Sequence, residues 1–469
     1  MADSQHRPAP RPDKSNRSTA DARAAALRIL ERLDSCSDTL DSVLETEAIM
    51  IDALPRRDRA LFNQLVYGVL RWRLQLDAII SAHASRPLNK IAPTVRNILR
   101  LGLFQIRFLD RIPASAAVNT TVALAKTHRA AKAAGFVNAV LRSALRAPDR
   151  DGLPDAAADP VGHLSVSQSM PRWLVDRWID RLGPDEAALL CESVNAIPPT
   201  VLRCNPLKNS PTELVEALAP DAERVELIAA VPGALQLIRP RRAIHRMQAF
   251  ADGRFSVQDG AAQLVSLLFD PKPGETLLDA CAGLGGKTTH LAQLMENRGR
   301  IVALDHVATK LARLETEARR LGIDIIETRR ADLNRPLDPS DLPRFDRILL
   351  DAPCSGLGVL RRNPDAKWSS LKKDIAGFAR RQARFLERLA PLVKEQGTLV
   401  FAVCSMEPEE NESVVTQFLK KHPNFAITAV EAITEKSMLP FLGADGFFRT
   451  APHTHYMDGF FAARLTRMC

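Results

Sequence analysis

Two cysteines each follow a short apolar run in the C-terminal half of the chain, within Asp351-Ala-Pro-Cys354-Ser-Gly and Val403-Cys404-Ser405. If both runs are strands of one parallel sheet, the two thiols lie at the same edge of that sheet. A thiolate that adds to C6 of cytosine makes C5 nucleophilic, and covalent catalysis of this kind divides one difficult step into two. The pair therefore suggests covalent chemistry on a pyrimidine, although each cysteine alone is equally well a small buried hydrophobic residue.

Asp351 directly follows the run that precedes the first of these cysteines. If its surroundings keep the carboxyl neutral, Asp351 can protonate or hydrogen-bond N3 of the ring while charge builds during attack. The second thiol then serves as a base or assists release of the enzyme. We predict Cys404, Cys354 and Asp351 as the catalytic residues.

A loop of small residues lies earlier, where a strand is predicted to end and a helix to begin. Such a loop lets backbone N–H groups approach a ligand at the helix N-terminus. It matches neither the dinucleotide fingerprint nor the phosphate loop, and such a loop alone is more often a plain strand-to-helix turn. The residues of this loop are Cys281, Ala282, Gly283, Leu284, Gly285, Gly286 and Lys287.

Asp305 and Asp332 follow the next two predicted strands. An acid at the end of the second strand would bond ribose hydroxyls, and one after the third would meet an adenine. Each aspartate taken singly is more often a helix cap or a solvated loop residue. Together with the small-residue loop, they favour a nucleoside cofactor bound outside the carboxyl ends of the strands.

The elements that must position these residues alternate between strands and helices from Gln258 onward, which indicates a Rossmann-like α/β domain with a parallel sheet. A late pair of runs, 446–449 and 460–465, is expected to close this sheet as an antiparallel edge. The predicted strands are 276–280, 301–305, 323–328, 347–351 and 398–403. The predicted helices are 288–295, 309–321, 375–393 and 409–420.

The composition and the spacing of apolar residues change three times in the chain before this domain. Apolar residues at helical spacing, such as Ala26, Ile29, Leu30 and Leu33, recur without a strand pattern and indicate an all-α domain. A stretch rich in Pro, Asp and Gly follows, and then helical and β-branched runs mix as in a small α+β domain. We predict a disordered polar tail over 1–19, the helical domain over 20–147, a linker over 148–168, the connector over 169–250 and the catalytic domain over 251–469.

Composition narrows the class of protein. A net charge of +9 and a pI of about 9.3 favour a polyanionic partner. The seven cysteines lack CxxC spacing, which argues against a metal site and fits free thiols in a reducing cytoplasm. No signal peptide or apolar run of about 20 residues is present, so we expect a soluble cytoplasmic protein that binds neither membrane nor metal.

A basic stretch lies between the two cysteines and includes Trp368. Its cations would contact phosphates while the indole stacks on an unpaired base. Such a run is more often a solvated helix face, so it only supports the case for nucleic acid. The basic residues are Arg361, Arg362, Lys367, Lys372, Lys373, Arg380, Arg381 and Arg384.

Longer motifs around both cysteines resemble the Sun (Fmu) family of RNA cytosine-5 methyltransferases. The first is DAPCSGLGVLRRNPDAKW over 351–368, and the second is CSMEPEEN over 404–411. The helical segment, with RALF at 59–62 and FVNAVLR at 136–142, is similar to an RNA-binding domain related to NusB. The resemblance extends over nearly the whole chain.

This resemblance implies transfer of a methyl group from S-adenosylmethionine to C5 of a cytosine in RNA. It assigns Cys404 as the nucleophile and Cys354 to release, and it implies that the loop 281–287 binds S-adenosylmethionine with Asp305, Asp332 and Asp351. Small-subunit rRNA is the favoured substrate, tRNA stays open, and a monomer is the default.

One departure from the family is visible in the cofactor loop. The family usually has Ala-Pro where this chain has Gly283-Leu284, and losing the fixed φ of proline is expected to loosen the loop. A ribosome-assembly protein of the same fold that no longer supports turnover is therefore the alternative. A dinucleotide-dependent oxidoreductase is disfavoured, because the third glycine of its fingerprint is missing and the cysteines would have no role.

Removing residues 1–147 is expected to weaken RNA binding, because this segment is similar to an RNA-binding domain. The truncated chain should also lose affinity less steeply as salt rises, since fewer phosphate contacts release fewer counterions. Affinities of the intact and truncated chains for small-subunit rRNA, measured at several salt concentrations, check this expectation. Equal affinities would give the helical domain another role.

Overall fold

The computed structural model describes residues 21–36, 38–336, 342–369 and 371–468, except for the side chains of 371–373. The predicted disordered tail, 1–19, and Cys469 lie outside this part of the chain. Two compact units are present, with the boundary between Arg172 and Trp173. Among the described residues, no helix has both the length and the apolar character that crossing a membrane requires.

The first unit is helical, as its apolar periodicity predicts. Its first helix begins where the Asp21 side chain accepts a hydrogen bond from the backbone N–H of Arg23. Ala26, Ile29 and Leu30 of the predicted stripe are buried, and Leu33 is half-buried. The described α-helices are α1 (Ala22–Ser35), α2 (Leu40–Thr46), α3 (Ala48–Asp52), α4 (Arg56–Arg71), α5 (Arg73–His83), α6 (Pro93–Phe108), α7 (Ala114–Thr127), α8 (Ala134–Arg146) and α9 (Pro160–Ser167).

Helix α9 falls inside the stretch 148–168, which composition suggests is a linker. The helix starts with Pro160 at its first turn, and Asp159 caps it by accepting a hydrogen bond from Gly162 N. Pro and Asp are residues of both loops and helix starts, so composition alone does not distinguish them. The finer domain boundaries stay a prediction.

The second unit begins with a small α+β segment, as predicted. Its four strands form an antiparallel sheet in the order β2-β3-β1-β4. The sequence predicts only β1 and β3, because polar residues interrupt the apolar residues of the other strands. The elements are α10 (Arg172–Leu182), α11 (Pro184–Asn195), β1 (Thr200–Cys204), α12 (Pro211–Leu218), β2 (Ala222–Leu227), β3 (Ala234–Pro240), α13 (Gln248–Ala251) and β4 (Phe255–Val257).

The rest of the second unit is the predicted Rossmann-like domain. Its large sheet has the order β10-β12-β9-β8-β5-β6-β7, and the five strands from β9 to β7 are parallel to their neighbours. The elements are α14 (Gly260–Phe269), β5 (Thr276–Asp279), α15 (Gly286–Leu294), β6 (Arg300–Asp305), α16 (Ala308–Leu321), β7 (Ile326–Arg330), β8 (Phe345–Asp351), α17 (Leu371–Leu389), β9 (Val393–Val403), α18 (Glu412–Lys421), β10 (Phe425–Ile427), β11 (Phe448–Thr450), α19 (Pro452–His455) and β12 (Phe460–Arg467).

The late strand pair closes one side of the sheet in antiparallel pairing, as the sequence suggests, because β11 pairs with β12 and β12 pairs with β9. Strand β12 itself lies inside the sheet, antiparallel to β9 on one side and to β10 and β11 on the other. Its residues Phe461 to Leu465 are buried, as an interior strand requires. Strand β10 has only three residues, which is too short for a periodic signal, so its place at the edge was not predicted.

Candidate active site

The loops that carry Cys354 and Cys404 begin at the same level of the sheet. Strands β8 and β9 are parallel neighbours, and Asp351 pairs with Ala402 at their carboxyl ends. The loops that follow bring the sulfur atoms of Cys354 and Cys404 to 3.3 Å from each other. Both side chains are partly accessible to solvent. The residues that the sequence places fifty positions apart thus form one dithiol site.

Two glycines allow these loops to lie so close together. Gly358 donates its backbone N–H to the carbonyl of Cys404 at 3.0 Å, and Gly459 donates to the carbonyl of Gly358 at 2.8 Å. A Cβ atom at Gly358 would lie 1.9 Å from the Gly459 oxygen and 3.0 Å from the Cys404 oxygen. Because both contacts are with backbone, a side chain there cannot be accommodated without separating the segments.

Cys354 is held in its thiol form. The hydrogen bond with Cys404, burial, and the negative charges of Cys404 and Glu410 raise the pKa of Cys354 well above its ordinary value. A thiol is a weak nucleophile, but it can donate a hydrogen bond to a neighbouring thiolate. The geometry therefore suits Cys354 as a hydrogen-bond donor to the neighbouring sulfur.

A partly buried ion pair flanks the cysteines. The ammonium of Lys287 lies 2.6 Å from Oδ2 of Asp351 and 5.0 Å from the centre of the Phe460 ring. Burial opposes the charged form, but the charges of Asp351 and Cys404 outweigh it and raise the pKa of Lys287. The sequence analysis required a neutral Asp351. The structure places the ammonium of Lys287 against this carboxyl, so the site contains a cation that the sequence analysis assigned only to the cofactor loop.

The cofactor loop, 281–287, joins β5 to the N-terminus of α15 as predicted. Gly283 and Gly285 have positive φ values of 58° and 85°, which favour glycine. Asp305 at the end of β6 accepts a hydrogen bond from Gly283 N at 3.0 Å and another from Val307 N at 2.8 Å. The loop is thus anchored by hydrogen bonds where a proline is missing, and each oxygen of Asp305 keeps a further lone pair for a ligand hydroxyl.

Other acids near the loop have partners of their own. Asp279 is buried, accepts a hydrogen bond from Thr288 Oγ1 at 2.7 Å, and burial raises its pKa to about 6. Burial and the charges of nearby aspartates also raise the pKa of Cys281 well above its ordinary value. Asp332, beyond the end of β7, accepts hydrogen bonds from Asn334 N and Nδ2 at 2.9 Å each. Its other carboxylate oxygen, Oδ2, has no hydrogen bond to the described residues.

A buried arginine that sequence reasoning missed links the connector to this loop. Arg203 of β1 is 1% exposed and donates to the carbonyl oxygen of Gly286 at 2.5 Å and to Thr289 Oγ1 at 2.8 Å. Burial lowers the pKa of Arg203 to about 9. An arginine in a five-residue strand gives no sign of its partner, because Gly286 is distant in the sequence.

Part of the basic stretch is internal and does not match the predicted phosphate contacts. Asp458 accepts a hydrogen bond from Arg361 Nε at 2.5 Å and from Arg362 Nε at 2.6 Å, and Asp259 pairs with both guanidinium groups. Lys367 is 2% exposed and donates to Asn195 at 2.6 Å. The contacts of these three cations instead stabilise the loop after Cys354, since buried charges need close partners.

The remaining members of the basic stretch lie on or beside α17. Arg380 and Arg384 are exposed, and Arg384 also donates to Asn334 at 2.9 Å. The guanidinium of Arg381 lies 4.8 Å from the centre of the Phe378 ring. The side chains of Lys372 and Lys373 lie outside the described part of the chain. Only the α17 portion thus stays a prediction for phosphate binding.

Comparison with protein families assigns each part of the chain. Residues 266–466 match the family described as 16S rRNA methyltransferase RsmB/F. Residues 20–146 match the NusB family, and 170–244 match the ferredoxin-like domain of RsmF/B-like methyltransferases. These matches agree with a helical domain, an α+β connector and a methyltransferase domain.

Individual relatives cover nearly the full length. A protein of Synechocystis, "Probable ribosomal RNA small subunit methyltransferase B", is 38% identical over 94% of this chain and 97% of its own. "Ribosomal RNA small subunit methyltransferase B" of Pseudomonas syringae is 36% identical over 85% of this chain and 86% of its own. The crystal structure of PH0851 superimposes with a TM-score of 0.77 at 28% identity, covering 95% of this chain and 98% of that one.

Replacing Gly358 by alanine is expected to lower the free energy of unfolding by about 1–3 kcal/mol, because the new methyl group collides with backbone. Gly377 in α17 is the matched control, since the nearest atom to a Cβ there is 3.9 Å away. Gly377→Ala should stabilise the protein by about 0.5–1 kcal/mol through a better helix former. Denaturant unfolding of both variants checks this, and equal stability of Gly358→Ala and the parent would show that the loops do not pack as described.

Proposed function

Because the chain belongs to the RsmB/F family of 16S rRNA methyltransferases, we propose that it methylates C5 of a cytosine in small-subunit ribosomal RNA, with S-adenosylmethionine as methyl donor. The observation that carries the proposal is the pair of sulfur atoms 3.3 Å apart, next to a partly buried ion pair. C5 of cytosine is a poor nucleophile until a thiolate adds to C6, and a dithiol site meets this need.

The residues around the cofactor loop fit S-adenosylmethionine. The loop 281–287 leads into the N-terminus of α15, and no atom lies within 4 Å of a Cβ built on Gly283, so a ligand has room there. The free lone pairs of Asp305 suit ribose hydroxyls, and Asp332 follows the third strand, where an adenine would lie. When bound, S-adenosylmethionine supplies an electrophilic methyl carbon.

Cys404 is the proposed nucleophile. Its thiolate forms a bond to C6, and the electron pair of the C5–C6 double bond moves toward C5 and the ring. The ammonium of Lys287, held by Asp351 at 2.6 Å, donates a hydrogen bond that stabilises the charge on the ring. In this proposal Asp351 acts through Lys287, which it holds in place.

Cys354 assists release. After C5 has been methylated, the C5 proton leaves to water, its bonding electron pair restores the C5–C6 double bond, and the C6–S bond breaks with its electron pair returning to Cys404 as a thiolate. The thiol of Cys354 donates a hydrogen bond to the departing sulfur across 3.3 Å, which stabilises the thiolate as it leaves. The raised pKa of Cys354 keeps the required proton in place at neutral pH.

Replacing Cys404 by alanine is expected to abolish both methyl transfer and the covalent adduct with RNA, because no sulfur remains to add to C6. Methylation of small-subunit rRNA and denaturing gel analysis of the protein–RNA adduct measure the two effects. Cys36→Ala is the control, since Cys36 is exposed at the end of α1 in the other compact unit. Normal methylation by Cys404→Ala would remove the nucleophile assignment.

Replacing Cys354 by alanine should have the opposite effect on the adduct. The bond to C6 still forms, but the leaving thiolate loses its hydrogen-bond donor, so enzyme accumulates on RNA. The fraction of protein that migrates with RNA under denaturing conditions should rise above that of the parent. A variant that methylates and releases RNA at the parental rate would make Cys354 a structural residue.

A further inference from the structure

One buried carboxylate beside the cysteines has no part in the steps above. Glu410 lies in the turn before α18 and its side chain is fully buried. It accepts hydrogen bonds from Ser355 N at 2.8 Å and Ser355 Oγ at 2.5 Å. It also accepts from Ser405 Oγ at 2.6 Å and Gln382 Nε2 at 3.2 Å. Ser355 and Ser405 are the residues that directly follow the two cysteines.

The surroundings of Glu410 contain donors and no counter-ion. Within the described part of the chain, no lysine, arginine or histidine nitrogen lies within 4.0 Å of it. All four of its hydrogen-bonding groups can donate, so they match an ionised carboxylate. Burying a charge without an ion pair is costly, and hydrogen bonds to a charge are stronger than neutral ones. The network therefore holds its members firmly.

The same network ties both cysteine loops to each other and to α17. The hydroxyl oxygens of Ser355 and Ser405 are 3.2 Å apart and share Glu410 Oε2. Gln382 of α17 contacts Glu410 and also donates to the Pro353 carbonyl at 3.1 Å, one residue before Cys354. A shift of either loop would break a hydrogen bond to the shared carboxylate.

We propose that Glu410 is a positioning residue that fixes the two cysteines relative to each other and places its carboxylate against the loop that carries Cys354. The role of Glu410 in catalysis rests on the proposed function. The effect of Glu410 on the reactivity of the Cys354 thiol is independent of that function, because the hydrogen-bond network and the charge are properties of the protein without substrate.

The charge acts in a defined direction. The hydrogen bond to Cys404, burial, and then the charges of Cys404 and Glu410 raise the pKa of Cys354. Removing the charge of Glu410 removes one of these contributions, so the pKa of Cys354 falls. A thiolate reacts with alkylating reagents and a thiol does not, so the change is measurable.

The first experiment titrates Cys354 in the full-length protein with iodoacetamide and follows its peptide by mass spectrometry. In Glu410→Gln, alkylation of Cys354 should begin at lower pH than in the parent, because the amide keeps the size and loses the charge. Glu409→Gln is the control, since Glu409 is partly exposed and pairs with Arg177 at 2.8 Å. An unchanged pH profile in Glu410→Gln would overturn the charge effect.

The second experiment separates positioning from charge. Ser405→Ala keeps Glu410 but releases the loop of Cys404, so kcat for methyl transfer should fall by about 100-fold, the effect of roughly 1 Å of misplacement. The KM for RNA should stay within about two-fold. Parental kcat in Ser405→Ala would overturn the positioning role, and this variant also serves if Glu410→Gln does not fold.

The two proposals fail in different ways. If the parent protein transfers no methyl group to rRNA, the proposed function is wrong, and the alkylation profiles still decide whether Glu410 controls Cys354. If the parent is active and the profiles of Glu410→Gln and the parent coincide, the inference about charge fails alone.

Discussion

The parallel pairing of β8 and β9 is the constraint on which the site depends. Asp351 and Ala402 are opposite each other at the ends of these strands, so both loops leave the sheet at one level. Strand β12 then runs antiparallel to β9 and brings Gly459 under Gly358. A shift in the register of either pair would separate the sulfur atoms, which is why the site needs the hydrogen-bonded sheet as much as the cysteines.

Charge is distributed around the dithiol in a way that gives its two sulfurs different roles. The cation of Lys287 and its partner Asp351 flank the cysteines, and the anion Glu410 lies within the two loops that carry them. The hydrogen bond with Cys404, burial and the charges of Cys404 and Glu410 raise the pKa of Cys354 and favour its thiol form. The surroundings of the pair therefore differ from one sulfur to the other, as they do for paired acids in other active sites.

Elements and strand ends were predictable because they follow local rules. Alternating strands and helices predict a parallel sheet, and the carboxyl ends of such strands bring Cys354, Cys404 and Asp305 to one edge. Partners distant in the sequence were not predictable. Arg361 and Arg362 looked like phosphate ligands because nothing nearby in the chain shows that Asp259 and Asp458 neutralise them. Glu410 lies within a recognisable motif, but the residue type alone does not show that its side chain is buried.

The most direct test of the account is to identify the methylated nucleoside. Full-length protein is incubated with labelled S-adenosylmethionine and unmodified small-subunit rRNA, and the RNA is digested to nucleosides for mass analysis. The account predicts label in 5-methylcytidine. Label in any other nucleoside, or none in rRNA, tRNA or partly assembled subunits, would contradict it.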